Sequence, residues 1–164
     1  MNAISVPQSP ARARRMLSPR VRRAVLTAHI VASVGLLGDV AAVLAVNVRA
    51  ATTTDPGFAS VSYELLQMFS VVFGIPLSFT ALITGLTLGL GSKWGVLRHA
   101  WVTAKLMLVL SVILVGAFVI GPATNEMRHG SGDAETVLIL AAAWDVLALT
   151  VATVLSVYKP GKRR

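Results

Sequence analysis

Apolar residues in this chain gather into four long runs separated by short polar segments. The runs cover about Ala24–Val48, Val61–Leu90, His99–Ile120 and Glu135–Val157. Each is near or above the roughly 20 residues a helix needs to cross a bilayer. With no water at mid-depth, backbone groups must pair within their own segment, so each run is expected to be a helix. The short connections favour antiparallel neighbours. The expected fold is therefore all-α, an up-down-up-down bundle of four transmembrane helices over residues 21–158. A polar tail of about 20 residues precedes it, with a basic tail at 159–164. Thr52-Thr53-Thr54-Asp55-Pro56-Gly57 supplies turn chemistry after the first run, and Gly121-Pro122 closes the third.

Composition agrees with the pattern. The 164 residues are 55% hydrophobic and 13% charged, with a mean hydropathy of +0.73. A soluble domain carries about 25% charge, so this surface belongs in lipid. The net charge of +8 sits beside the apolar runs, where it sets topology and meets anionic lipid rather than nucleic acid. Arg12, Arg14, Arg15, Arg20, Arg22, Arg23, Lys93, Arg98, Lys159, Lys162, Arg163 and Arg164 fall on one side. Arg49 and Arg128 fall on the other, with Asp55, Glu126, Asp133 and Glu135. This bias predicts a multi-pass plasma-membrane protein with both termini cytoplasmic. Cysteine is absent, which excludes disulfides, thiolate metal sites and iron–sulfur clusters.

Small residues recur at helical spacing: Ala28, Ala32, Gly35, Gly38 and Ala42 in the first run, and Ser70, Gly74, Ser78, Ala81, Gly85 and Gly89 in the second. They predict close helix contacts, within the chain or between copies of it. Glu64, Gln67, Val71, Gly74, Ser78, Ala81 and Gly85 form one stripe on the second helix, expected to face inward, with Glu64 near the outer surface and open to solvation. Pro76 is expected to distort that helix, because it lacks a backbone donor.

Candidate chemistry rests on a few ionisable groups at depth. Lys105 lies about one and a half turns into the third run, on one face with Arg98 and Trp101. Its stem either snorkels to the headgroups or turns inward to hold an anion, a carboxylate or a cofactor. His29 is expected at the same depth, and a neutral imidazole there can ligate metal or haem. Asp39 and Asp145 are the intramembrane carboxylates; such a pair can share a proton, bind a cation or accept from Lys105. Glu126, His129, Asp133 and Glu135 match no metal template, and no metal site is expected.

The segments Thr27–Gly38, Pro76–Gly91 and Ser92–Leu108 resemble a family of uncharacterised bacterial four-helix integral membrane proteins. The run from Trp94 through Arg98, His99 and Trp101 to Lys105 is the most specific part. That likeness implies architecture and no established activity. A histidine in the first helix, with Trp-x-x-x-Lys-Leu opening the third, is also distantly similar to four-helix membrane protoporphyrinogen oxidases and copper-resistance membrane proteins. It implies His29 and Lys105 as a functional pair, with haem b as the cofactor to look for. Thr103 departs from the oxidase pattern, which tends to have His there.

The leading expectation is a small non-enzymatic binding or accessory protein that self-associates in the bilayer. The alternative is a haem- or porphyrin-binding redox protein using His29 and Lys105. A third is proton- or cation-coupled transport through Asp39 and Asp145.

Overall fold

The computed structural model describes residues 17–91, 100–127 and 133–158. Four helices in it are long and apolar enough to cross a membrane: α1 (Pro19–Thr52), α2 (Pro56–Leu90), α3 (Ala100–Glu126) and α4 (Ala134–Tyr158). No strand occurs among the described residues. The all-α, four-span architecture expected from the apolar runs is the one observed.

α1 starts earlier than its apolar run. Ser18 caps it by accepting from the Val21 N–H at 3.4 Å, and Pro19 fills the first turn, where its missing N–H costs nothing. The helix has 34 residues, about 51 Å long, against a hydrocarbon core of about 30 Å. Its first turns, with Arg20, Arg22 and Arg23 exposed, extend past the apolar core as a basic collar. Asp55 caps α2 by accepting from the Gly57 N–H at 2.9 Å, with Pro56 opening the first turn.

α1 packs against both α2 and α4, and α3 packs mainly against α4. The buried residues of α1 are Ala32, Leu36, Asp39, Val40, Val43, Asn47 and Ala50. Their spacing of three and four marks one continuous helical face. α4 buries Ala134, Leu138, Ala141, Ala142, Asp145, Ala148, Leu149 and Ala152 in the same rhythm. At the middle of the bundle Leu36 and Val40 meet Ala148, Leu149 and Val112, with Leu77 and Leu108 against them. A second cluster joins Val43, Leu66 and Ala142.

α2 and α3 are each interrupted by a π-helical stretch, Ser70–Gly74 and Gly116–Ile120. Both stretches precede a proline by the same interval, Ile75-Pro76 in one and Gly121-Pro122 in the other. A proline ring collides with the carbonyl one turn earlier and offers it no N–H. Widening that turn to π geometry accommodates the ring without ending the helix. Accordingly α3 does not stop at Gly121-Pro122, and its helical backbone continues to Met127.

The π stretch also corrects the expected inward stripe of α2. It inserts one residue into the helical count, and so turns the N-terminal half of the helix by about 100° relative to the C-terminal half. Gly74, Ser78, Ala81 and Gly85 face α1 or are buried, but Glu64, Gln67 and Val71 are exposed. The buried positions before the stretch are instead Ser62 and Leu66. Glu64, Gln67, Met68, Val71 and Val72 line a groove on the outside of the bundle.

Candidate functional site

Two groups of polar side chains lie inside the bundle. The first is near the end that carries both termini. His29 is half-buried and points at α2, where its Nδ1 lies 3.1 Å from the Ala81 carbonyl oxygen and 3.1 Å from Thr84 Oγ1. A carbonyl only accepts, and the Thr84 hydroxyl proton is already donated to the Thr80 carbonyl. Both contacts therefore put the ring proton on Nδ1 and leave Nε2 as the acceptor of the neutral ring. The ring lies against Gly85: a Cβ there would stand 3.0 Å from its Cε1.

Lys105 is half-buried on α3 and close enough to act electrostatically on the His29 imidazole. Its ammonium lies 5.8 Å from the centre of the Trp101 ring. The side chain thus leans back one turn toward the start of its helix, as helical side chains do. The structure unites His29, Lys105 and Trp101 at one end of the bundle; Arg98 and His99 lie outside the described residues.

The second group is at mid-bundle. Asp39 is 8% exposed and Asp145 3%, each on the inward face of its helix. One antiparallel register packs Leu36 and Val40 near Leu149 and Ala148, and Val43 beside Ala142. That register sets Asp145 level with Asp39 and Val40. Asp39 Oδ2 also lies against the α2 backbone: a Cβ on Gly74 would stand 3.1 Å from it. Asp39 Oδ1 and Asp145 Oδ1 are buried without a hydrogen-bond partner.

Asn47, which sequence reasoning misses, is a third such residue. It is 5% exposed, and its Nδ2 is buried and unpartnered. The available signal is its spacing: Asp39, Val43 and Asn47 repeat every four residues on one face of an apolar helix. Thr84 and the Ala81 carbonyl are likewise missed as partners of His29, because nothing in a sequence pairs positions on different helices.

Glu64 is exposed on the outer groove, and Glu126 is exposed at the end of α3. His129 lies outside the described residues. No group of three or more His, Cys, Asp or Glu able to hold a metal occurs among the described residues. Arg49, at the far end of α1, stacks its guanidinium 4.9 Å from the Phe58 ring centre.

No curated protein and no solved structure matches the chain. A family pattern does, over residues 23–160, which takes in all four helices and both polar groups. The chain belongs to the DUF2269 family of predicted integral membrane proteins.

Proposed function

We propose that this integral membrane protein is a small binding protein, not an enzyme, that holds the anionic end of an amphipathic ligand near the terminus-bearing end of the bundle. The observation that carries the reading is Lys105, an ammonium kept within an apolar helix and within electrostatic reach of His29. Lys105 offers donors to a carboxylate or phosphate, Trp101 an interfacial ring, and His29 an acceptor of fixed tautomer. The Lys/Arg bias supports a plasma-membrane orientation with both termini, and so this end, in the cytoplasm.

Brominated lipids provide the test, because bromine quenches tryptophan on contact. Brominated phosphatidylglycerol is expected to quench the purified protein more than brominated phosphatidylcholine does, with the preference lost in Lys105→Met. Equal quenching by both lipids counts against the reading.

A second reading, haem or porphyrin binding, is favoured by one observation. His29 donates Nδ1–H to a backbone carbonyl, the support that metal-ligating histidines use to present Nε2. A Soret band on haemin addition, lost in His29→Ala, would promote it; no chromophore removes it. Self-association is supported by the outward face of α1, where Val31 and Val34 are exposed and a Cβ on Gly38 would meet nothing within 4 Å. Crosslinking in native membranes that traps only monomer would sink that part.

A further inference from the structure

The carboxylates at mid-bundle stand apart from the His29 end and serve no part in the reading above. They are buried on the two most buried helices, at one level by the packing register of those helices. Packed helix axes lie about 8–10 Å apart, a separation that two inward carboxyls at one level can bridge through one small ion and its ligands. Each aspartate contributes a buried oxygen with nothing donating to it. A buried polar atom in a packed interior is ordinarily hydrogen-bonded. Two unbonded acceptors on facing helices, without a donor between them, call for a proton or a cation.

The described residues nearby do not supply that charge. On α1 the neighbours of Asp39 are Leu36, Val40 and Val43, and the next polar side chain on that face is Asn47, two turns away. α2 offers Gly74 and Ser78, and the Ser78 hydroxyl donates to the Ile75 carbonyl. Of the titratable groups of α2, Glu64 is exposed on the outer surface, and Tyr63 is half-buried within electrostatic reach of Glu135. α3 presents Ser111, and its cation, Lys105, leans toward Trp101. On α4 Trp144 points its indole at Ser111, with Nε1 donating to Oγ at 3.4 Å. Gly74 has no Cβ to hold the α2 backbone away from Asp39: a Cβ there would stand 3.1 Å from Asp39 Oδ2 and 3.7 Å from the Phe69 carbonyl oxygen.

We propose that Asp39 and Asp145 form an intramembrane binding site for one small monovalent cation, taken up in competition with protons. Charge decides the class. Two carboxylates carrying one proton and one monovalent cation are neutral, which suits a low-dielectric surrounding. A divalent ion prefers six or more oxygens with richer carboxylate supply, and the described residues hold no cluster of that kind. The site does not depend on a ligand at Lys105.

Sodium itself is the probe. Purified full-length protein in detergent is titrated with NaCl against choline chloride at constant ionic strength, at several pH values. Both the thermal midpoint and tryptophan emission are followed; Trp144 adjoins Asp145 and reports on it. Sodium, but not choline, is expected to raise the midpoint and to shift the emission saturably. The apparent affinity should strengthen about tenfold per pH unit over the range in which one proton competes. Asp39→Asn and Asp145→Asn should each abolish the sodium effect, and Lys105→Met should keep it. Equilibrium dialysis with radioactive sodium should bind one ion per chain. Wild-type protein that responds to pH alone, with no difference between sodium and choline and no bound sodium, overturns the proposal, whether or not the variants fold. An undiminished sodium effect in both Asn variants overturns it equally. Loss of the anionic-lipid preference with sodium binding intact would fault the reading at Lys105 and leave this one standing.

Discussion

α1 and α4 are built differently from α2 and α3, though all four are apolar enough to span a bilayer. In α4, 39% of the apolar stretch is buried inside the bundle, against 11% in α2 and in α3. α3 is the most apolar of the four and yet among the least buried. In water that combination would be perverse. In lipid it is natural, since acyl chains are as apolar as leucine and hydrophobicity no longer drives residues inward. Polarity marks the interior instead. The buried polar or charged residues described are Asp39, Asn47, Ser62, Ser78 and Asp145, and Asp39, Asn47 and Asp145 belong to the inner pair. α1 and α4 keep uninterrupted faces for that contact. α2 and α3, with mostly lipid-facing surface, carry the prolines and the π stretches.

The sharpest way to break this contrast is to truncate one aliphatic side chain to alanine on an inner helix and one on an outer helix. Leu36 is 2% exposed between α4, α3 and α2; Val72 is 54% exposed on α2. Leu36→Ala leaves a cavity at the meeting point of the bundle, and such truncations cost about 2–5 kcal/mol. Val72→Ala should cost near zero, because lipid fills the space. Equilibrium unfolding in mixed SDS micelles measures both. Equal losses at the two positions would mean that α2 is not an outer helix.

The contrast also explains how much is legible in the sequence. The four helices follow from run length alone, because a bilayer imposes one length on every span. Asp39 and Asp145 are legible as candidates for the same reason: a carboxylate in an apolar run is conspicuous. Their shared level is readable from depth counted along each helix. Their inward orientation is not, because rotation about the axis depends on the partner surface. The stripe through Glu64 and Gln67 shows the limit. It assumes a constant 3.6-residue turn, and the distortion expected at Pro76 carries no phase until the backbone is seen. One inserted residue at Ser70–Gly74 is enough to send the N-terminal half of that stripe to the outside.

Removing the cause should therefore restore the phase. Pro76→Ala returns an N–H to α2 and relieves the collision one turn earlier. The π stretch is then expected to close to α geometry, rotating Ser62 and Leu66 away from α1. A cysteine pair at Val43 and Leu66, which share a buried cluster, reads this directly. The pair should crosslink readily with Pro76 present and several-fold less with Pro76→Ala. An unchanged yield would show that Ser70–Gly74 keeps its π geometry for reasons other than the proline.

The smallest effect separates two glycines by their neighbours. Gly85 faces inward on α2, where a Cβ would come within 3.0 Å of His29 Cε1. Gly38 is on the outward side of α1, where a Cβ would meet nothing within 4 Å. Alanine is favoured over glycine in a helix by about 0.5–1 kcal/mol. Gly38→Ala should therefore raise stability by up to that amount in the SDS assay. Gly85→Ala starts from the same gain but must push the imidazole aside and lengthen its bonds to Ala81 and Thr84. Net bonds of that kind contribute about 1 kcal/mol, which cancels the helical gain or reverses it. The ring leaves a second trace: with its Nδ1 contacts loosened, the tautomer is no longer fixed, and the His29 ring nitrogens should shift by NMR in Gly85→Ala and not in Gly38→Ala. If both substitutions stabilise alike and leave the ring signals unmoved, His29 does not rest on α2, and the contact that fixes its tautomer falls with it.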